Sequence, residues 1–138
     1  MKDIRPALRT FLLSSSVVRD KVGGFRIHHG RMPEGQLEPS VVFNRISETT
    51  DYTMDGDSGL SQVRMQIDAW ATTSDEANSL AGAVYDRLTG QRGEWQGNSE
   101  TVEVNGVFVV NSREEYDATM RMFRMGRDYL IWYRSLDS

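Results

Sequence analysis

"QVRMQIDAWATTSDEANSLAGAVYDRLTG", residues 62–90, carries the two periodicities from which the fold is read. Its first ten residues alternate, with Val63, Met65, Ile67, Ala69 and Ala71 on one side and Gln62, Arg64, Gln66, Asp68 and Trp70 on the other. Side chains two apart share a face of a strand, so this segment buries its apolar set and turns the rest outward. The period then changes to that of a helix: Ala77, Leu80, Ala81, Val84 and Leu88 fall on one stripe. Thr73 and Glu76 stand in the capping-box relation and Gly90 supplies a stop, which sets a helix over 74–89. The strand's inner set and the helix's stripe are natural partners. Asp68 beside Trp70 is an odd pair to give to water.

Upstream, Ile4, Ala7, Leu8, Phe11 and Leu12 recur at helical spacing, with Asp3 as N-cap and Pro6 in the first turn, where its missing N–H costs little. A short second helical piece, capped by Ser16, ends at Gly23 and Gly24, and a strand follows at 25–29. "GRMPEGQLEP" (30–39) reads as a loop and the β-branched "SVVFNRISET" (40–49) as a strand. "DYTMDGDSG" (51–59), dense in Asp and Gly, reads as a long hairpin loop, and "QRGEWQGNSE" (91–100) as a polar loop. Strands at 101–112 and 120–133 close the chain. No repeat or low-complexity run interrupts this order. The expectation is a single α+β domain over 1–138: an antiparallel or mixed β-sheet with about two main helices packed on one face. A βαβ crossover around the 74–89 helix stays open, and strand order is not legible.

The chain has 138 residues, enough for a core without staples, and no cysteine, so disulfides, thiolate zinc sites and a cysteine nucleophile are excluded. No apolar run is long enough for a membrane helix and the N-terminus lacks a signal-peptide pattern, which leads us to expect a soluble cytosolic protein with no membrane partner. Twenty acidic against 16 basic side chains give a net charge of -4, weak ground for gripping nucleic-acid phosphate.

Searches for chemistry come back empty. His28 and His29 are adjacent in a strand and point to opposite sides of it, a poor arrangement for one metal. Asp51, Asp55 and Asp57 suggest a calcium loop, but the ligand order is wrong and Gln62 stands where a glutamate is required. No nucleophile elbow, dinucleotide fingerprint or P-loop occurs. We therefore expect no catalytic residue, no metal and no cofactor. In "MRMFRMGRDYLIWYR" (120–134) both faces carry aromatic or long aliphatic residues, including Tyr129, Trp132 and Tyr133. With few helices to cover them, a protein partner is favoured, and a second copy is the simplest one.

At this point the residues match a known pattern. The run 52–90, with D-G-x-S-G-L, R-x-Q-I-D-x-W and E-A-x-x-L-A-x-A-V-x-x-x-L, resembles the tail completion family of long-tailed bacteriophages, also described as tail terminator or head–tail joining proteins, which occur in prophages and gene transfer agents. "ALRTFLLSSSVVRDKVGG" (7–24), "RMPEGQLEPSVVFNRIS" (31–47) and "REEYDATMRMFRMGRDYLIWY" (113–133) are similar to that family's opening helices, its loop and P-x-V-V-F strand, and its closing strands. The histidine pair and the 90–100 loop have no counterpart in the pattern. The resemblance implies a non-enzymatic virion protein that forms a ring of six copies at the head-proximal end of the tail tube. It also implies partners: the tail tube protein, the head-completion or stopper protein, and DNA passing through the channel without specific binding.

For such a ring, Arg64, Asp68, Trp70, Tyr129, Trp132 and Tyr133 are the expected inter-subunit contacts, since Trp, Tyr and Arg are enriched where partners meet. Asp51, Asp55, Asp57, Glu94 and Trp95 are the expected axial or bore residues, on loops 51–59 and 90–100. Six copies carry about -24, and an acidic bore would let DNA slide. The alternatives are a small ligand-binding or enzymatic α+β domain with Asp68 and Trp70 in its pocket, and an adaptor that docks one protein at its sheet edge.

Overall fold

The computed structural model describes residues 3–53, 56–97 and 101–135, without the side chains of 50–59 and 135. The elements in chain order are α1 (Arg5–Leu13), α2 (Ser16–Lys21), β1 (Ile27–His29), β2 (Ser40–Thr53), β3 (Gly56–Ala71), α3 (Ser74–Leu88), β4 (Gly93–Gln96), β5 (Thr101–Asp117) and β6 (Met122–Ser135). They form one mixed six-stranded sheet in the order β1-β2-β3-β6-β5-β4 with the helices on one face, an α+β architecture. Among the described residues only β1 and β2 pair in parallel.

β3 sits between β2 and β6, and its alternation sorts both neighbours. Val63, Met65, Ile67, Ala69 and Ala71 are all buried, with Ala77, Leu80, Ala81, Val84 and Leu88 of α3 also in the core. The Thr73 hydroxyl accepts from the Glu76 N–H at 3.2 Å, and the chain leaves the helix through Gly90 at φ +75, a backbone state that disfavours a side chain. α1 has its N-cap at Ile4, one residue after the expected Asp3, whose Oδ1 nonetheless accepts from the Arg5 N–H at 3.0 Å, and Ala7, Leu8 and Leu12 face inward. α2 is capped by Ser15, not Ser16, because Ser15 is the residue still in extended backbone and its hydroxyl reaches the Val18 N–H.

Two expected loops are strands. β2 and β3 keep their ladder through Tyr52↔Asp57 to Thr53↔Gly56, so 51–59 is mostly hairpin rather than a wide loop. Backbone pairing across an antiparallel hairpin overrides the poor strand preference of Asp and Gly. In 90–100 the chain forms β4, whose register pairs Trp95 with Val102 and turns the indole inward. Trp95 is buried and stacks on Phe11 at 4.2 Å, while the Arg87 guanidinium covers Phe11's ring at 3.8 Å. β5 continues beyond the expected 112 to Asp117.

The opposite face carries no helix. Its lower end is covered by the 30–39 loop and the β5–β6 turn, where Met32, Val42, Trp70 and Met122 make a second, small apolar cluster with Met120 against it.

Candidate functional site

The helix-free face is the part of the molecule with unexplained chemistry. Register brings Gln66 opposite Asp128, Asp68 opposite Gly126 and Trp70 opposite Arg124, while Arg113 lies opposite Gly126 from the other side. Three strands, β3, β5 and β6, thus deliver their polar residues to one surface.

Two carboxylates are sunk into it. Asp68 is 3% exposed and Asp128 is also buried. Arg64 donates to Asp128 Oδ2 from Nη2 at 2.9 Å and from Nε at 3.2 Å. Arg113 bridges the two acids, donating to Asp128 Oδ1 at 3.2 Å and pairing with Asp68 Oδ1 at 3.7 Å. Gln66 Nε2 donates to Asp68 Oδ2 at 2.8 Å. Burial raises the Asp68 carboxyl above its ordinary value of 3.8, opposed by the Gln66 hydrogen bond and by the charges of Arg124 and Arg113. Gly126 makes the seat possible: a Cβ there would collide with Asp68 Oδ1. Around this centre Arg124 pairs with Glu115 and Arg134 with Glu103, so each of these four arginines already holds a carboxylate of its own chain.

Below the network an open cleft of about 660 Å³ lies between the 30–34 segment and the β5–β6 turn, lined by Met32, Asp68, Trp70, Met120 and Arg124 among others. Arg124 also sits 5.4 Å from the Trp70 ring centroid. Among the described residues no histidine lines it. Among the described residues no three His, Asp or Glu side chains converge as metal ligands. His28 and His29 do diverge: His29 lies against Phe43 and takes a contact from Arg5, while burial and the charges of Arg9 and Arg26 lower the His28 imidazole against the opposing Gln36 hydrogen bond.

The structure separates the residues expected at subunit contacts. Arg64, Asp68, Trp70 and Trp132 share the polar face. Tyr129 and Tyr133 are on the other side, 1% exposed each and part of the core, which removes them as free contact residues. Burial lifts the Tyr129 hydroxyl to about 12 and raises that of Tyr133 as well. Trp70 is only 7% exposed, because its own chain's methionines and Arg124 occupy the space left for a partner. Of the expected axial residues, Glu94 is exposed on β4 and Trp95 is in the core, so Trp95 does not line a bore. Asp55 and the side chains of Asp51 and Asp57 lie outside the described residues. Arg113, Gly126 and Asp128 were not singled out from sequence. Their signal, an Asp and a Gly at alternate positions of a two-sided strand, acquires meaning only when the register sets them against β3 and β5.

A family model described as "Tail completion protein gp17" matches residues 6–134. No curated protein sequence matches the chain. Among solved structures, a chain of the "Virion of native gene transfer agent (GTA) particle" superposes with a TM-score of 0.66 at 14% sequence identity, covering 92% of this chain and 91% of that one. At that identity the likeness concerns the fold.

Proposed function

The chain belongs to the tail completion protein gp17 family, and from that premise we propose that six copies close into a ring that caps the head-proximal end of a phage tail tube. Members of this family are structural proteins of the virion tail, not enzymes. The ring ends tube polymerisation, offers one rim to the tube protein and the other to the head-completion or stopper protein, and leaves a channel for DNA.

The observation that carries the reading is the self-neutralised polar face. Arg64, Arg113, Arg124 and Arg134 are each paired with an acid of the same chain, so a DNA phosphate meeting them must displace an existing partner. A wall of this kind gives DNA little to hold, as passage without specific binding requires. Arg64 and Asp68 therefore belong to the channel wall in this reading. In this reading Glu94, exposed on β4, belongs to a rim, where stacked rings meet.

Two measurements test it. Native mass spectrometry and electron microscopy of the purified chain, alone and with tail tubes, should give six-membered rings or capped tubes; a chain that stays monomeric and ignores tubes ends the proposal. Asp68→Asn with Asp128→Asn frees Arg64 and Arg113, and the resulting rings should retain DNA at low salt where the parent rings do not. Equal DNA retention by both would remove the wall assignment.

A further inference from the structure

Strand pairing accounts for how the sheet is built, and it also leaves two stretches of edge unused. β1 covers β2 only at Val41–Phe43, after which Asn44 Nδ2 donates to the Gly30 carbonyl as the chain turns away. From Arg45 to Thr53, β2 pairs with β3 alone among the described residues. At the other side β4 covers β5 only at Thr101–Val104, and the Gly90 N–H takes the Val107 carbonyl. From Phe108 to Asp117, β5 pairs with β6 alone among the described residues. An uncovered edge is a template for another strand, and soluble proteins normally blunt it with charge. Here the bulges that interrupt the two edges present Ile46, 52% exposed, and Val110, 43% exposed, with Phe108 beside the latter at 55%. These are apolar side chains at the places where a protective charge would stand.

We propose that the β2 edge of one copy, Arg45–Thr53, pairs with the β5 edge of the next, Phe108–Asp117, making the ring's wall a continuous sheet. The inference rests on the ring reading above and names its seam. Four features of the fold agree. The free lengths are nearly equal. β2 runs opposite to β5, so copies oriented alike meet as an antiparallel ladder. The two edges differ from each other, as a head-to-tail contact that closes into a ring requires. β4 and β1 sit beside the opposite ends of β5 and β2, so they flank the seam without blocking it.

The offset sets the geometry. Thr49 is level, through Gln62 and Trp132, with Gly106, whereas the centre of the free β5 edge is near Ser112. Joining the edges therefore steps each copy ~20 Å along the strands for every ~20 Å across four strand spacings. The strands then lean at roughly 45° to the ring axis, close to the tilt of closed barrels. The polar face becomes one surface of that wall and the helices the other.

The chain has no cysteine, which makes engineered cross-links clean. Thr49 and Asn111 are exposed, lie on the same polar face and come close at this seam. Thr49→Cys combined with Asn111→Cys should give, on mild oxidation of assembled protein, a ladder of disulfide-linked species ending at the full ring, and neither single variant should cross-link. Ile46→Lys or Val110→Lys should lower the assembled fraction on the order of tenfold with unchanged far-UV circular dichroism. Rings that form without the cross-link, or that tolerate both lysines, overturn this seam and leave the ring standing. Cross-linking by either single variant means that an edge pairs with its own kind, and also overturns it. A chain that never assembles, even on tubes, removes the ring reading and the seam together.

Discussion

The two faces of this sheet are held by different physics although every strand contributes to both. On the helix side, Val63, Met65, Ile67 and Ile131 are buried with α3 by apolar area, a force without direction that tolerates small shifts. On the bare side, Arg64, Asp128, Arg113 and Asp68 hold one another through a few contacts whose value depends on tenths of an ångström and on nothing being left unpaired. The first face makes the fold stable, and the second sets what the surface presents. Gly126 shows the asymmetry: the backbone beneath the network must come close enough to Asp68 that no side chain fits.

This contrast can be broken from either side. The largest effect is expected from Leu80→Ala, which empties a fully enclosed position under α3 and should lower the unfolding free energy by about 3 kcal/mol in urea titration while leaving the polar face intact. Arg113→Met comes next. It takes the ion-pair partner from buried Asp68 and one of two from Asp128, which keeps Arg64, and should cost about 2 kcal/mol at neutral pH, discounted from a fully buried pair because the guanidinium is partly exposed. That loss should shrink in acid, where both acids protonate; a pH-independent loss would mean that Arg113 acts through packing. Thr73→Ala, which removes the α3 cap, should cost about 1 kcal/mol and read out as a small fall in melting temperature.

The smallest effect and the sharpest comparison is Asp68→Asn. The folded carboxyl has a raised value, so its ionisation costs stability as pH climbs from 3.8 through that value, and the cost persists at neutrality. Asp3 has the opposite sign. Arg5 lowers its value, so its contribution is present above 3.8 and is lost as pH falls through the folded value. Asp68→Asn should therefore change neutral stability little, and should remove the Asp68 share of the decline expected of the parent as pH rises through that carboxyl's folded value. Asp3→Asn should instead flatten the acid limb, and identical profiles for the two variants would contradict the assigned environments.

The helix side was legible because its signals are local. Alternation in 62–71, the stripe Ala77, Leu80, Ala81, Val84 and Leu88, and the Thr73 cap each need only a few neighbouring residues to be read, and each stands in the structure. The polar side was only half legible. Arg64, Asp68 and Trp70 were recognised as an odd outer set, but Tyr129 and Tyr133 were assigned to contacts when a one-residue difference in facing puts them in the core. Trp95 was misread for the same reason, since a polar-looking loop becomes β4 once β5 offers it an edge. From sequence 51–59 reads as a long hairpin loop, because Asp and Gly argue locally against a strand, while the ladder beside them extends the strands to Thr53 and Gly56.

By itself, then, the sequence determined what must be buried: periods of two and 3.6 in apolar residues oblige a sheet face and helices to meet, wherever they lie in space. It also carried the family pattern from 6 to 134. Tertiary structure decided what the rest is for. Pairing β3 with β6 set Asp68 over Gly126 and Arg64 against Asp128, and the short reach of β1 and β4 left the outer edges of Arg45–Thr53 and Phe108–Asp117 uncovered among the described residues. Those facts depend on strand order and register, which are set by contacts between residues far apart in the chain, and no local pattern encodes them.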